Sequence, residues 1–173
     1  MSTLEFGTTV FEGLHAVTVS TAMRSVNVLA LSDYDLSLYV AINFLRCFPC
    51  LKKLYMKSRG VDSKNEWRQE HLEHVECLDL HLKIIALSNY LGNNKSHVRF
   101  VTFFVLNARV LESMKLVVDD GLDTNERWIE KQRRKLQLSK RASGGAQFDF
   151  EPKKYFRHFS DVHELSDPFE RKC

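Results

Sequence analysis

LKKLYM (Leu51 to Met56), LKIIAL (Leu82 to Leu87) and LESMKL (Leu111 to Leu116) share one apolar pattern, and VNVLAL (Val26 to Leu31) repeats it with valine in first place. Each is L-x-x-L-x-L. In an extended chain the second and third apolar residues, two apart, point to the same side, and the residues between them point to the other. The four stretches start 25, 31 and 29 residues apart. Recurrence at that spacing predicts four short strands lying side by side, with Val26, Leu29 and Leu31; Leu51, Leu54 and Met56; Leu82, Ile85 and Leu87; and Leu111, Met114 and Leu116 facing one core.

A period of about 20 to 29 residues built on L-x-x-L-x-L is that of a leucine-rich repeat, in which a strand is followed by a helical or irregular return. Two of the intervening segments carry the helical period. Leu38, Ala41, Ile42, Leu45 and Phe48 fall at i, i+3, i+4, i+7 spacing, and Pro49 blocks continuation. Val98, Val101, Phe104, Val105 and Ala108 form a second such face. Phe100 and Phe103 make its other side apolar too, so this helix is expected to be buried almost all round, with Ser96 as its N-cap. Lys57 to His74 is polar, contains Gly60, Asp62, Ser63 and Asn65, and reads as an inserted loop.

Beyond the last repeat, Asp123 with Glu126 has the form of a capping box for a helix over 125–138 anchored by Trp128, Ile129 and Leu136. Gly144 and Gly145 break the chain, and Gln147 to Phe150 alternates like a short closing strand. From Glu151 the chain is polar and is expected to be loosely held. The fold class is therefore α/β, a short solenoid of about four strand-helix units with a parallel sheet, capped by the C-terminal helix and strand. Terminal repeats need polar caps. The N-terminal side shows none, which predicts an exposed apolar edge around Val26 to Leu31 and a tendency to self-associate.

Composition narrows the function. The 173 residues suit one domain, and 44% hydrophobic with 27% charged residues is ordinary for a folded soluble chain. With 25 basic residues nearly matched by 22 acidic ones, the net charge of +3 does not point to nucleic acid. No apolar run is long enough to span a membrane, and Met1 to Val10 lacks the shape of a signal peptide. An intracellular location, cytoplasmic or nuclear, is expected, with Cys47, Cys50, Cys77 and Cys173 reduced and the Asn94-Lys95-Ser96 sequon idle.

No nucleophile arrangement, phosphate-binding glycine loop or HExxH motif is present, so no catalytic residue is assigned and an enzyme is not expected. Cys47 and Cys50 have Cys-x-x-Cys spacing, with His71, His74, Cys77 and His81 further on, the ingredients of an alternative zinc or redox protein. Packing as small apolar residues accounts for the cysteines better, so no metal or cofactor is assigned. Asp119, Asp120 and Asp123 lack the spacing of a calcium loop and read as a turn before a helix. Lys131, Arg133, Arg134 and Lys135, followed by Lys140 and Arg141, are a candidate nuclear-import signal or contact for an acidic partner, but a solvated helix face with Glu130 pairing Arg134 accounts for them better.

CFPCLKKLYMKS (Cys47 to Ser58) and VECLDLHLKIIALSNYLGNNKSHVRFVTFFVLNARVLESMKL (Val75 to Leu116) resemble the repeats and FBD region of plant F-box/FBD/leucine-rich-repeat proteins, those of grasses especially. RASGGAQFDF (Arg141 to Phe150) and DPFE (Asp167 to Glu170) are similar to their tails, so the resemblance runs over residues 8 to 170. It implies a repeat segment at 1–66, an FBD region at 67–150 and a tail at 151–173. In that family an F-box recruits a cullin-RING ubiquitin ligase and the repeats hold the substrate. The stretch before Val26 is shorter than an F-box, so the recruiting half, and with it the ligase link, is not implied. A non-catalytic protein-binding module is, and outward strand positions are where stacked repeats bind protein. Lys52, Lys53, Tyr55, Lys83 and Lys115 are the expected contact residues, with Tyr55 beside two lysines as the focus.

Overall fold

A computed structural model of the chain describes residues 3–6, 9–12, 24–34, 38–58, 79, 81–118 and 124–153. The fold is α/β. A five-stranded sheet in the order β3-β4-β5-β6-β7 comprises β3 (Val28–Tyr34), β4 (Lys53–Ser58), β5 (Ile84–Ser88), β6 (Ser113–Val118) and β7 (Gln147–Pro152). Every neighbouring pair is parallel. Parallel neighbours need crossovers, and among the described residues three helices lie between strands: α1 (Leu38–Cys47), α2 (Lys95–Asn107) and α3 (Glu126–Lys135).

The four apolar triplets lie side by side. Leu29, Leu54, Ile85 and Met114 share one register row, and Leu31, Met56, Leu87 and Leu116 share the next but one. All eight are at most 3% exposed. The leading Leu51, Leu82 and Leu111 are buried just ahead of their strands, whereas Val26 is half-buried. On the far side of the sheet Phe148 continues the first row and Phe150 the second. These side chains join Ala41, Ile42 and Leu45 of α1 and Phe100, Val101, Phe104 and Val105 of α2 in one core cluster. Each fully buried leucine or phenylalanine there contributes about 1.5–3 kcal/mol relative to exposure.

The closing strand expected at Gln147 to Phe150 is β7, which joins the four repeat strands as a fifth parallel rung beside β6. Several expectations need correction. A separate antiparallel hairpin, β1 (Thr3–Phe6) with β2 (Thr9–Glu12), was not foreseen. β3 is the sheet's first strand, yet Leu29 and Leu31 are buried; Val28 at 45% is what the edge exposes of the expected apolar strip. The N-cap of α2 is Asn94, whose side chain accepts from the N–H groups of Ser96 and His97, so Ser96 sits inside the helix. That helix is not buried all round, because Arg99 and Leu106 face solvent. α3 is capped by Asn125, which accepts from Trp128 N–H, and is shorter than expected. Lys57 and Ser58 belong to β4; the rest of the anticipated loop, the aspartates at 119–123 and the tail beyond 153 lie outside the described residues.

Candidate protein-contact surface

The residue after each leading leucine starts a rung, and the backbone there repeats a motif. The Asn27 carbonyl accepts from the N–H groups of both Lys52 and Lys53, that of Lys52 from Lys83 and Ile84, and that of Lys83 from Glu112 and Ser113. Glu112 passes the chain of bonds on to Gln147. Asn27, Lys52, Lys83 and Glu112 are thereby set in one row along the N-terminal rim of the sheet, and all four are exposed. Lys83 Nζ donates to Glu112 Oε1 at 2.7 Å across adjacent rungs. An exposed pair of this kind contributes about 0–1 kcal/mol to stability, so its effect is to fix where the two charges stand.

The five predicted contact residues do not form one patch. Lys52 and Lys83 are on the exposed rim. Lys53 is half-buried in the outward row Val28, Lys53, Ile84, Ser113, Gln147. Lys115, also half-buried, meets Glu151 Oε1 at 3.1 Å. Tyr55 must be withdrawn: it is 0% exposed, as are its neighbour Ala86 and, further along, Val117. Strand alternation correctly directs Tyr55 to the outer side, in the row Ala30, Tyr55, Ala86, Lys115, Asp149, but direction is not exposure, and the middle of that side is closed. What remains open is the rim and the β7 flank with Gln147 and Asp149. Glu112 and Glu151 complete the lysine pairs. Glu112 was findable, since it follows Leu111 as Lys83 follows Leu82.

At the opposite end of the strands lies a buried polar hub built by Asn89 to Asn94. Asn89 adopts a left-handed backbone (φ 59°) and donates through Nδ2 to the Ser58 carbonyl at 2.8 Å. Tyr90, fully buried, donates from its hydroxyl to Gln132 Oε1 of α3 at 3.0 Å, and burial pushes its phenol pKa up. Gly92 passes so close to Gln132 that a Cβ would overlap the amide, and Lys135 Nζ donates to the Gly92 carbonyl at 2.9 Å. The hub ties β4, the β5–α2 connection and α3 together.

It also contains a serine-histidine hydrogen bond, which invites a catalytic reading. His97 Nδ1 accepts from Leu91 N–H at 3.0 Å, so in the neutral ring the proton is on Nε2, which donates to Ser58 Oγ at 3.0 Å. A general base must accept the serine's proton; this histidine presents its own. Both side chains are at most 2% exposed, out of substrate's reach. The pair is structural.

Cys47 and Cys50 carry reduced thiols that are not joined in a disulfide. Burial raises the Cys47 pKa, the reverse of what a redox or metal-binding thiolate needs. Among the described residues no three His, Cys, Asp or Glu side chains gather as metal ligands; His71, His74 and Cys77 lie outside them. No helix among the described residues is long and apolar enough to cross a membrane.

Parallel rungs whose apolar rows stay level and an exposed charged rim define a class, a repeat module that offers a surface. Family models agree. Residues 1–56 match that of the LRR repeats of FBD-associated F-box protein At5g56370, and residues 69–116 match the FBD model. The chain thus carries the FBD domain and the associated repeats of the plant F-box/FBD/leucine-rich-repeat proteins over those residues, and neither matched segment is an F-box. No curated protein and no solved structure matches the chain.

Proposed function

We propose that the five parallel strands are a short leucine-rich-repeat solenoid closed by the FBD helix α3 and strand β7, and that its N-terminal rim is the face that holds a protein partner. The supporting observation is the in-register row of Lys52, Lys83 and Glu112, exposed and positioned by the repeated backbone bonds. Lys53 and Lys115 flank it as secondary contacts. On this reading residues 1–66 form the repeat segment, 67–150 the FBD region and 151–173 a tail, and the module acts as a substrate-recognition surface of the ubiquitin-ligase type. Self-association through the β3 edge has Val28 to draw on.

The test uses the full chain as bait in plant extract beside its Lys52→Glu/Lys83→Glu variant, with quantitative mass spectrometry of what each retains. Reversal of two rim charges at a specific interface is expected to deplete the true partner by about tenfold or more. Identical retained sets would remove the rim from consideration. Presence or absence of a cullin-ligase subunit in the depleted set decides the ligase context separately.

A further inference from the structure

The C-terminal half of α3 faces β7 across an open cleft of about 420 Å³. Its lining combines the apolar Leu138, Ala146 and Phe148 with Ser139 and the basic Arg133, Arg134 and Arg141. One carboxylate, Glu130, shares the lining, but among the described residues neither it nor Arg133 nor Arg134 is engaged in an ion pair, so the i,i+4 bridge expected between Glu130 and Arg134 is not made. Arg141 spends its hydrogen bonds on neutral acceptors, the carbonyls of Leu138 and Gly144, which fix its position without cancelling its charge. Basic residues ending a helix are favourable with the helix dipole, but that accounts for Arg133 and Arg134 alone, since Arg141 follows the next turn.

The cleft is built firmly. Ser143 Oγ donates to the Leu111 carbonyl at 2.6 Å, and Ala142 N–H to the Val105 carbonyl at 2.8 Å, anchoring the Arg141 to Gly145 loop on β6 and α2. β7 is the last strand of the sheet, so Ala146 just before it and Phe148 within it place the cleft at the sheet's edge.

We propose that this cleft docks an acidic segment of a partner protein, with an apolar side chain against Leu138, Ala146 and Phe148 and flanking carboxylates on Arg133, Arg134 and Arg141. Charge complementarity selects the occupant: three guanidinium-bearing residues, one of them held by hydrogen bonds, beside an apolar lining favour a peptide that carries both chemistries. A nucleic acid would match the charge but needs successive aromatic platforms for its bases, and the lining has one aromatic side chain, half-buried. The site extends the reading of the chain as an interaction module, and is separate from the rim.

Fluorescence anisotropy of the folded full chain tests it with three labelled probes: the peptide Glu-Asp-Leu-Asp-Glu, its Gln-Asn-Leu-Asn-Gln counterpart, and single-stranded oligothymidine. Saturable binding of the acidic peptide alone is expected, weakening as salt rises. Arg133→Glu/Arg134→Glu should weaken it by about tenfold or more, and Arg133→Gln/Arg134→Gln by less, with unchanged far-UV circular dichroism in both since the side chains are exposed. Lys52→Glu/Lys83→Glu should leave it unchanged, so a failure here and a failure of the rim are told apart. Equal binding of the neutral peptide, tighter binding of the oligonucleotide, no binding of the acidic probe, or indifference to the arginine variants would each overturn the proposal.

Discussion

Gly92 packs against the end of the buried Gln132 side chain, leaving no room for a Cβ unless that amide moves. A methyl group on Gly92 displaces the buried Gln132 amide, and with it the acceptor of the Tyr90 hydroxyl. Gly92→Ala is therefore expected to cost about 1–3 kcal/mol in urea denaturation. In a Gln132→Ala background the same substitution should cost clearly less, because the obstruction is gone; equal costs in both backgrounds would refute the contact. A second residue-scale test separates the two candidate caps of α2. Asn94→Ala should destabilise by about 1 kcal/mol, since two N–H groups lose their acceptor. Ser96→Ala, inside the helix, should shift stability by no more than about 0.5 kcal/mol. The sequence favoured Ser96 because serine is a good cap; an asparagine two residues earlier is as good, and the choice between them is set by where Tyr90 and Leu91 bring the chain into the helix.

Elements were legible where one local rule dominates. Pro49 ends the first helix, so Leu38–Cys47 was readable almost to the residue, and the four leucine triplets were readable because burial enforces a period that no turn chemistry disturbs. The hairpin of β1 and β2 was not, since its four-residue strands lack the Asn-Gly or Asp-Gly turn that marks hairpins. Neither was the parallel pairing of β7: alternation in Gln147 to Phe150 announces a strand but not its direction. Exposure at the candidate contact positions was half legible. Lys52 and Lys83 are exposed as expected, but Tyr55 is not, because whether an outward side chain meets water depends on what closes over the sheet, which strand periodicity does not encode. At this scale the centre should matter more than the edge. Ile85→Ala in β5 is expected to cost about 2–5 kcal/mol. Val28→Ala, exposed on the first strand, should remain within about 0.5 kcal/mol by the same denaturation assay.

For the molecule as a whole, each interior strand is held from both sides and the terminal ones from one, apart from what the helices add. Amide hydrogen exchange should accordingly be slowest in β4, β5 and β6 and faster in β3 and β7, by at least about tenfold. Uniform protection across the five strands would contradict that ordering. The crossovers joining the first four strands are unequal, with repeat steps of 25, 31 and 29 residues, yet Leu29, Leu54, Ile85 and Met114 stay level with one another. Position on the sheet is thus counted from each leading apolar residue and is indifferent to the length of chain that came before. Such an arrangement lets a crossover lengthen or shorten without shuffling the neighbours on the sheet, so recognition could be rewritten one rung at a time while the scaffold beneath keeps its grammar.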